Sequence, residues 1–104
     1  MTDTFTDSDS EIITEDKTRV KRPSMYRVIL INDDYTSMDF VVMILETIFR
    51  KSPAEAMQIM MQVHKIGKGT CGMYTKEIAE AKVSHVHRLA RENKYPLKCM
   101  MEEV

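Results

Sequence analysis

Met25-Tyr26-Arg27-Val28-Ile29-Leu30-Ile31, followed at once by Asn32-Asp33-Asp34-Tyr35-Thr36-Ser37-Met38-Asp39, is the stretch on which the reading of this chain turns. The first seven residues form a short apolar run with β-branched members, which predicts a strand. The next three, an amide and two carboxylates, end it with groups that accept hydrogen bonds. Thr36 or Ser37 then offers a helix N-cap, with Asp39 placed to complete a capping-box-like start from Thr36. A helix is expected over about 38–50, with Val41, Ile44, Leu45 and Ile48 at core spacing. Phe40, Val42, Met43 and Phe49 make it apolar almost all round, so it must be covered on two sides or leave surface for a ligand. Acceptors for a cation beside an apolar wall suit a ligand with a positive head and a greasy side group.

Further along, Ser52-Pro53-Ala54-Glu55 is a strong helix start: a cap residue, Pro at the first helical position and Glu at the third. The helix from Pro53 to about Ile66 carries Met57, Met60, Met61 and Val63, and Gly67 supplies a left-handed stop. Gly67-Lys68-Gly69 reads as a turn, and Thr70 to Tyr74 as a short strand weakened by Gly72. Thr75 caps a third helix to about Glu92, with Ala79, Val83, Val86 and Ala90 at helical spacing. Asn93 and Pro96 end it. Leu97, Cys99 and Met101 then alternate with Lys98 and Glu102 in a last strand. The order β-α-α-β-α-β predicts an α+β fold, three helices covering one face of a three-stranded sheet.

The chain has 104 residues, 43% hydrophobic and 30% charged, which points to one domain. Residues 1–24 hold few large apolar groups (Phe5, Ile12, Ile13, Val20) and cannot build a core. Their first sixteen carry six acids and no bases, followed by the basic cluster Lys17, Arg19, Lys21 and Arg22. So little apolar surface cannot offset ordering entropy, and a flexible extension is expected over 1–24, with the domain at 25–104. The domain balances eleven Lys/Arg against ten Asp/Glu, which argues against a dedicated nucleic-acid binder. The longest apolar run, Phe40 to Leu45, is too short to span a bilayer, and the acidic start lacks the order of a secretory signal. Cys71 and Cys99 lie outside any CxxC pair, which suggests buried, reduced thiols and a cytoplasmic location.

Four residues stand out as candidates for binding. Asn32, Asp33 and Asp34 offer oxygens to a cation, although short Asx side chains also end strands by bonding to nearby backbone. His64, late in the second helix, offers one donor and one acceptor, although a histidine there also serves as an ordinary helix-end residue. His85 and His87 point to different faces and cannot chelate one ion, and no ligands stand at zinc spacing around them. A Cys-His hydrolase using Cys71 or Cys99 with His64 lacks any nucleophile motif. Ten methionines either fill an irregular core or line an adaptable apolar pocket, Met38 and Met60 being nearest the candidate residues in sequence.

These residues resemble the ClpS adaptor family. The resemblance runs from Pro23-Ser24-Met25-Tyr26 through Val28 to Thr36 and Met38-Asp39-Phe40-Val41. It continues through Ala56, Met60-Met61-Gln62-Val63-His64, Gly67, Cys71-Gly72-Met73-Tyr74-Thr75, Glu80-Ala81-Lys82-Val83, Ala90-Arg91-Glu92-Asn93 and Pro96-Leu97. It covers essentially all of residues 23–101, and Ser37 is its main departure, where many members have Pro. The resemblance implies a bacterial N-degron adaptor, not an enzyme. Such a protein binds substrates with an N-terminal Leu, Phe, Tyr or Trp and passes them to a Clp-type AAA+ unfoldase coupled to the ClpP peptidase. It also implies an antiparallel sheet, in a fold like the C-terminal domain of the ribosomal stalk protein. By position, Asn32, Asp34 and His64, with Asp33 beside them, match residues that hold the α-amino group. Leu30, Thr36, Met38, Val41, Met60, Val63 and Leu97 match the walls of the side-chain pocket, Met38 being the gate against β-branched residues. Glu77 and Lys82 match positions that contact the N-terminal domain of the unfoldase, ClpA or a relative such as ClpC. A monomer without cofactor, metal, nucleic acid or membrane is expected.

Two other classes remain as alternatives. A ribosome-associated domain sharing only the fold should present a lysine-rich helical face, whereas the third helix mixes Lys76, Glu77, Glu80, Lys82 and Arg88. A small thiol hydrolase requires a reactive Cys71 or Cys99.

Overall fold

The central strand is the most apolar one. In the computed structural model, which describes residues 23–104, β1 (Met25–Ile31) lies between β2 (Lys68–Thr75) and β3 (Lys98–Glu103), and both pairings are antiparallel. Three helices complete the order expected from sequence: α1 (Met38–Thr47), α2 (Pro53–Ile66) and α3 (Lys76–Glu92). Side chains alternate along a strand, so Val28 and Leu30 face the helices and join the core with Ile44, Leu45, Ala56, Val63, Ala79 and Val86. Arg27, Ile29 and Ile31 belong to the opposite face, where Arg27 pairs with Glu102 at 3.0 Å.

Between Val28 and Ile29 the register of β2 shifts, because Val28 pairs with Gly72 and Ile29 with Thr70. Cys71 is the extra residue of this bulge and is fully buried, with Cys99 buried nearby. Both thiols are packing groups, as the sequence suggested. Gly69 lies under α2, where an added Cβ would stand 2.9 Å from Val63 Cγ2 and 3.2 Å from the Ile59 carbonyl oxygen. That close approach sets the distance between α2 and the sheet.

Helix starts follow local chemistry. Ser52 and Glu55 form the expected capping box, each backbone N–H donating to the other's side chain at 3.2 Å. At α1 the cap is Ser37, whose Oγ accepts from the Phe40 amide at 3.1 Å, while Thr36 is engaged elsewhere. Thr75 occupies the N-cap of α3 without a side-chain hydrogen bond.

Three boundaries depart from the sequence reading. α1 stops at Thr47, three residues short of the expected end, and the chain turns away through Arg50 in the left-handed region at φ 56°. The expected turn at 67–69 contracts to Gly67, the C-cap of α2 at φ 105°, because Lys68 and Gly69 pair with Ile31 and Leu30. Leu97 precedes β3 instead of opening it. The extension expected over 1–24 lies, up to residue 22, outside the described residues. Among the described residues no helix is long and apolar enough to cross a membrane.

Candidate functional site

The turn after α2 fixes the site. Gly67 donates its amide to the Val63 carbonyl at 3.0 Å and accepts from the Asn32 amide at 2.9 Å. The end of β1 is thereby tied to the end of α2, and Asn32 and His64 border one hollow although 32 positions separate them in sequence.

That hollow has a volume of about 370 Å³. Its floor is apolar: Val41 from α1, and Met60 and Val63 from α2, all buried. Its rim is polar and exposed, formed by Asn32, Asp34 and His64. Met38, at the first turn of α1, stands half exposed at the edge, 48% accessible. Thr36 and Asp33 complete the wall.

The carboxylates have different tasks. Asp33 Oδ1 accepts from the Tyr35 amide at 2.8 Å and the Thr36 amide at 2.7 Å, and Oδ2 accepts from the Thr36 hydroxyl at 2.7 Å. Partial burial alone would raise the pKa of this carboxyl. The bonds from the Thr36 side chain, the Thr36 backbone and the Tyr35 backbone outweigh it and hold the group below its ordinary value. Asp33 therefore shapes the loop as an Asx turn, the structural alternative weighed from sequence. Asp34 is the carboxylate that stands at the rim without taking part in that turn.

The structure thus brings together Asn32, Asp33, Asp34 and His64 with Thr36, Met38, Val41, Met60 and Val63. It does not bring Leu30 or Leu97 to the surface of the hollow. Leu30 is fully buried in the sheet core and Leu97 nearly so, because both point under the helical layer. Two lining residues were not singled out from sequence, Tyr35 and Ser37. Tyr35 is 79% exposed, and an aromatic inside an Asx turn is the signal that marks it. Ser37 was read only as a cap.

Glu77 and Lys82 lie on α3, away from the hollow. Glu77 is exposed in the first turn. Lys82 Nζ donates to the Ile48 carbonyl at 2.8 Å and lies 5.2 Å from the Tyr74 ring centroid and 5.7 Å from that of Phe49. It caps the C-terminal end of α1, the end opposite Met38.

Neither thiol is suited to catalysis. Burial, reinforced by the neighbouring Cys99, pushes the Cys71 thiol far up, and burial pushes Cys99 up to about 12. Both remain protonated at neutral pH and are poor nucleophiles. His87 is also committed, its Nε2 accepting from the Cys99 amide at 3.0 Å. No three His, Cys, Asp or Glu side chains among the described residues are grouped to hold a metal.

Comparison with known proteins agrees with this architecture. The family profile described as "ATP-dependent Clp protease adaptor protein ClpS" matches residues 21–100. The ATP-dependent Clp protease adapter protein ClpS of Syntrophus aciditrophicus is 53% identical over 103 residues, covering 99% of this chain and 96% of that protein. The protein of the same name from Nitratidesulfovibrio vulgaris is 54% identical over 96 residues, 92% of this chain and 94% of that one. Among solved structures, Agrobacterium tumefaciens ClpS2 bound to L-phenylalaninamide superposes with a TM-score of 0.77 at 35% identity, over 80% of this chain and all of that one. With its sheet, helical layer and sequence all in agreement, this chain belongs to the ClpS family, adaptors of the ATP-dependent Clp protease and not enzymes themselves.

Proposed function

We propose that the hollow between β1, α1 and α2 receives the first residue of a substrate protein beginning with Leu, Phe, Tyr or Trp, and that this chain delivers such substrates for degradation. The observation that carries this reading is the pairing of a buried apolar floor with a rim of acceptors. A free α-amino group is a cation with three donors, suited to Asn32 and Asp34 oxygens and to a ring nitrogen of His64. Asp33 acts beside them by holding the loop. The first side chain descends between Met38, Val41, Met60 and Val63, with Thr36 at the wall. Burying a Leu or Phe there contributes about 1.5–3 kcal/mol before ordering costs. ClpS2 holds in phenylalaninamide a ligand with the same two parts, an amino group and an apolar side chain.

Leu30 and Leu97 act from beneath, by supporting the floor. Met38 excludes β-branched side chains, whose bulk beside the backbone meets the gate first. Glu77 and Lys82 belong to a separate surface for the N-terminal domain of the unfoldase, ClpA or a relative such as ClpC. In this reading the protein works as a cytoplasmic monomer, with the recognition hollow and the unfoldase surface at opposite ends of α1.

Calorimetric titration with peptides beginning Leu or Phe tests the reading against the same peptides acetylated at the N terminus. Acetylation removes the charge and leaves desolvated acceptors unpaired, so affinity should fall at least about a hundredfold. Equal affinity for both forms overturns the proposal. A leading Val should also bind poorly.

A further inference from the structure

Helix α2 carries two working faces. At about 100° per residue, Met60, Val63 and His64, which border the recognition hollow, fall on one side of it. Met57, Met61 and Lys65 fall on the other, with Ile66 beside them, around an outer hollow of about 360 Å³. Met57 and Ile66 are 51% and 73% exposed there, an apolar surface that no element of the described fold covers. Gln62 and Ile66 also line a neighbouring hollow of about 340 Å³, which carries the surface around the edge strand β2 to Lys68 and Thr70. The two make one furrow along the edge of the sheet. Its net charge is positive: Lys65 and Lys68 are exposed along it, while Glu102 at its far end is paired with Arg27 at 3.0 Å.

We propose that this furrow is the docking site for residues 11–16 of the same chain, Glu11-Ile12-Ile13-Thr14-Glu15-Asp16. Ile12 and Ile13 supply apolar groups for Met57, Met61 and Ile66, and Glu11, Glu15 and Asp16 supply carboxylates for Lys65 and Lys68. Reach allows it. Pro23 lies just before β1, whose seven residues run about 23 Å toward the end where Ile66 stands, with packed layers about 10 Å apart. Ile66 is therefore about 25 Å from the point where the segment joins the domain. Ten residues lead from Ile13 to Pro23, and they span up to about 33 Å. A tethered segment has an effective concentration on the order of millimolar, so a contact too weak to hold separate molecules is populated within one chain. A second copy fits less well, because a twofold contact through the furrow sets its lysines against their equivalents. The contact leaves the recognition hollow open and does not rest on the function proposed for it.

The test uses the full chain with a nitroxide on Ser10→Cys and isotope-labelled methionine methyls and backbone amides. Burial keeps Cys71 and Cys99 protonated, so the label goes to position 10. The methyl signals of Met57 and Met61 and the amide signals of Lys65 and Ile66 should lose most of their intensity, while the amides of Arg88 and Arg91 on α3 keep theirs. In about 1 M salt, where charges are screened beyond about 3 Å, the loss should shrink. Ile12→Ser with Ile13→Ser, which leaves the folded domain untouched, should remove it, as should Lys65→Glu with Lys68→Glu. Faint losses spread evenly over the whole surface, or a loss that survives the substitutions at Ile12 and Ile13, overturn the inference. So do losses centred on Met38 and Met60, which place the segment in the recognition hollow. An equal loss between nitroxide-bearing and isotope-labelled chains mixed as separate molecules assigns the furrow to a second copy and overturns it as well. None of these readouts requires a ligand, so the peptide titration decides the proposed function separately.

Discussion

The amide of Asn32 donates to the carbonyl of Gly67 over 2.9 Å, and this bond joins the end of the central strand to the turn that follows α2. Because His64 sits less than one helical turn before Gly67, a contact between two backbones places a side chain of α2 beside the loop that follows β1. The polar rim is a product of this junction, and it depends on Gly67 holding φ at 105°.

Gly67→Ala isolates that dependence. No atom lies within 4 Å of the added Cβ, so the cost is purely conformational, about 1–2 kcal/mol for an L residue in the left-handed region. Chemical denaturation should show that loss. Peptide titration should show weaker binding even at temperatures where the variant is fully folded, because the rim loosens as the turn relaxes.

His64→Ala and Asp34→Ala should each weaken binding of Leu- or Phe-initiated peptides about ten- to a hundredfold, the effect of removing one partner from a charge-assisted contact. Both side chains are exposed, so far-ultraviolet circular dichroism and the melting temperature should stay close to wild type. A binding loss that tracks a lowered melting temperature would point to damage to the fold instead.

Gly69→Ala should destabilise by about 1–3 kcal/mol, the usual cost of forcing extra volume into a packed contact. The added methyl meets the Ile59 carbonyl, which belongs to the α2 backbone and cannot swing aside. Thermal unfolding gives the direct measurement, and Gly67→Ala serves as its companion because there the added methyl meets nothing.

The loop should respond to acid. The pKa of Asp33 is lower in the folded chain than its ordinary value of 3.8, so its contribution is complete above 3.8 and is lost as pH falls through the folded value. Binding should therefore show no pH dependence from this group between pH 5 and 7, where its contribution is complete. It should weaken only below 3.8, as pH falls through the lowered folded value and the bonds to Tyr35 and Thr36 are lost. Asp33→Asn, which forfeits the acceptor for the Thr36 hydroxyl, should bind more weakly at neutral pH and lose that acid limb. Titrations at several pH values distinguish the two proteins.

What could be read in the sequence was local. The capping box at Ser52, the glycine stop at 67 and the apolar run of β1 each depend on neighbours within a few residues, and each stands where expected. The end of α1 was hidden because its left-handed residue is Arg50, which carries no such preference. The start of β2 was hidden because Lys68 becomes a strand residue only through pairing with Ile31, far away in the chain. The same limit applies to the hollow. Asn-Asp-Asp announces a cluster of acceptors but not which carboxylate turns inward, and Leu30 and Leu97 reveal their depth only once the helical layer is in place.

The junction of Asn32 with Gly67 also makes recognition and folding share one reservoir of free energy. A guest bridging the loop and α2 staples together two segments whose separation during unfolding would release it. At a hundred times its dissociation constant such a guest would add about 2.7 kcal/mol of resistance to unfolding. A loaded adaptor presented to a machine that pulls polypeptides apart would thus be tougher than an empty one, and the cargo itself would protect the carrier.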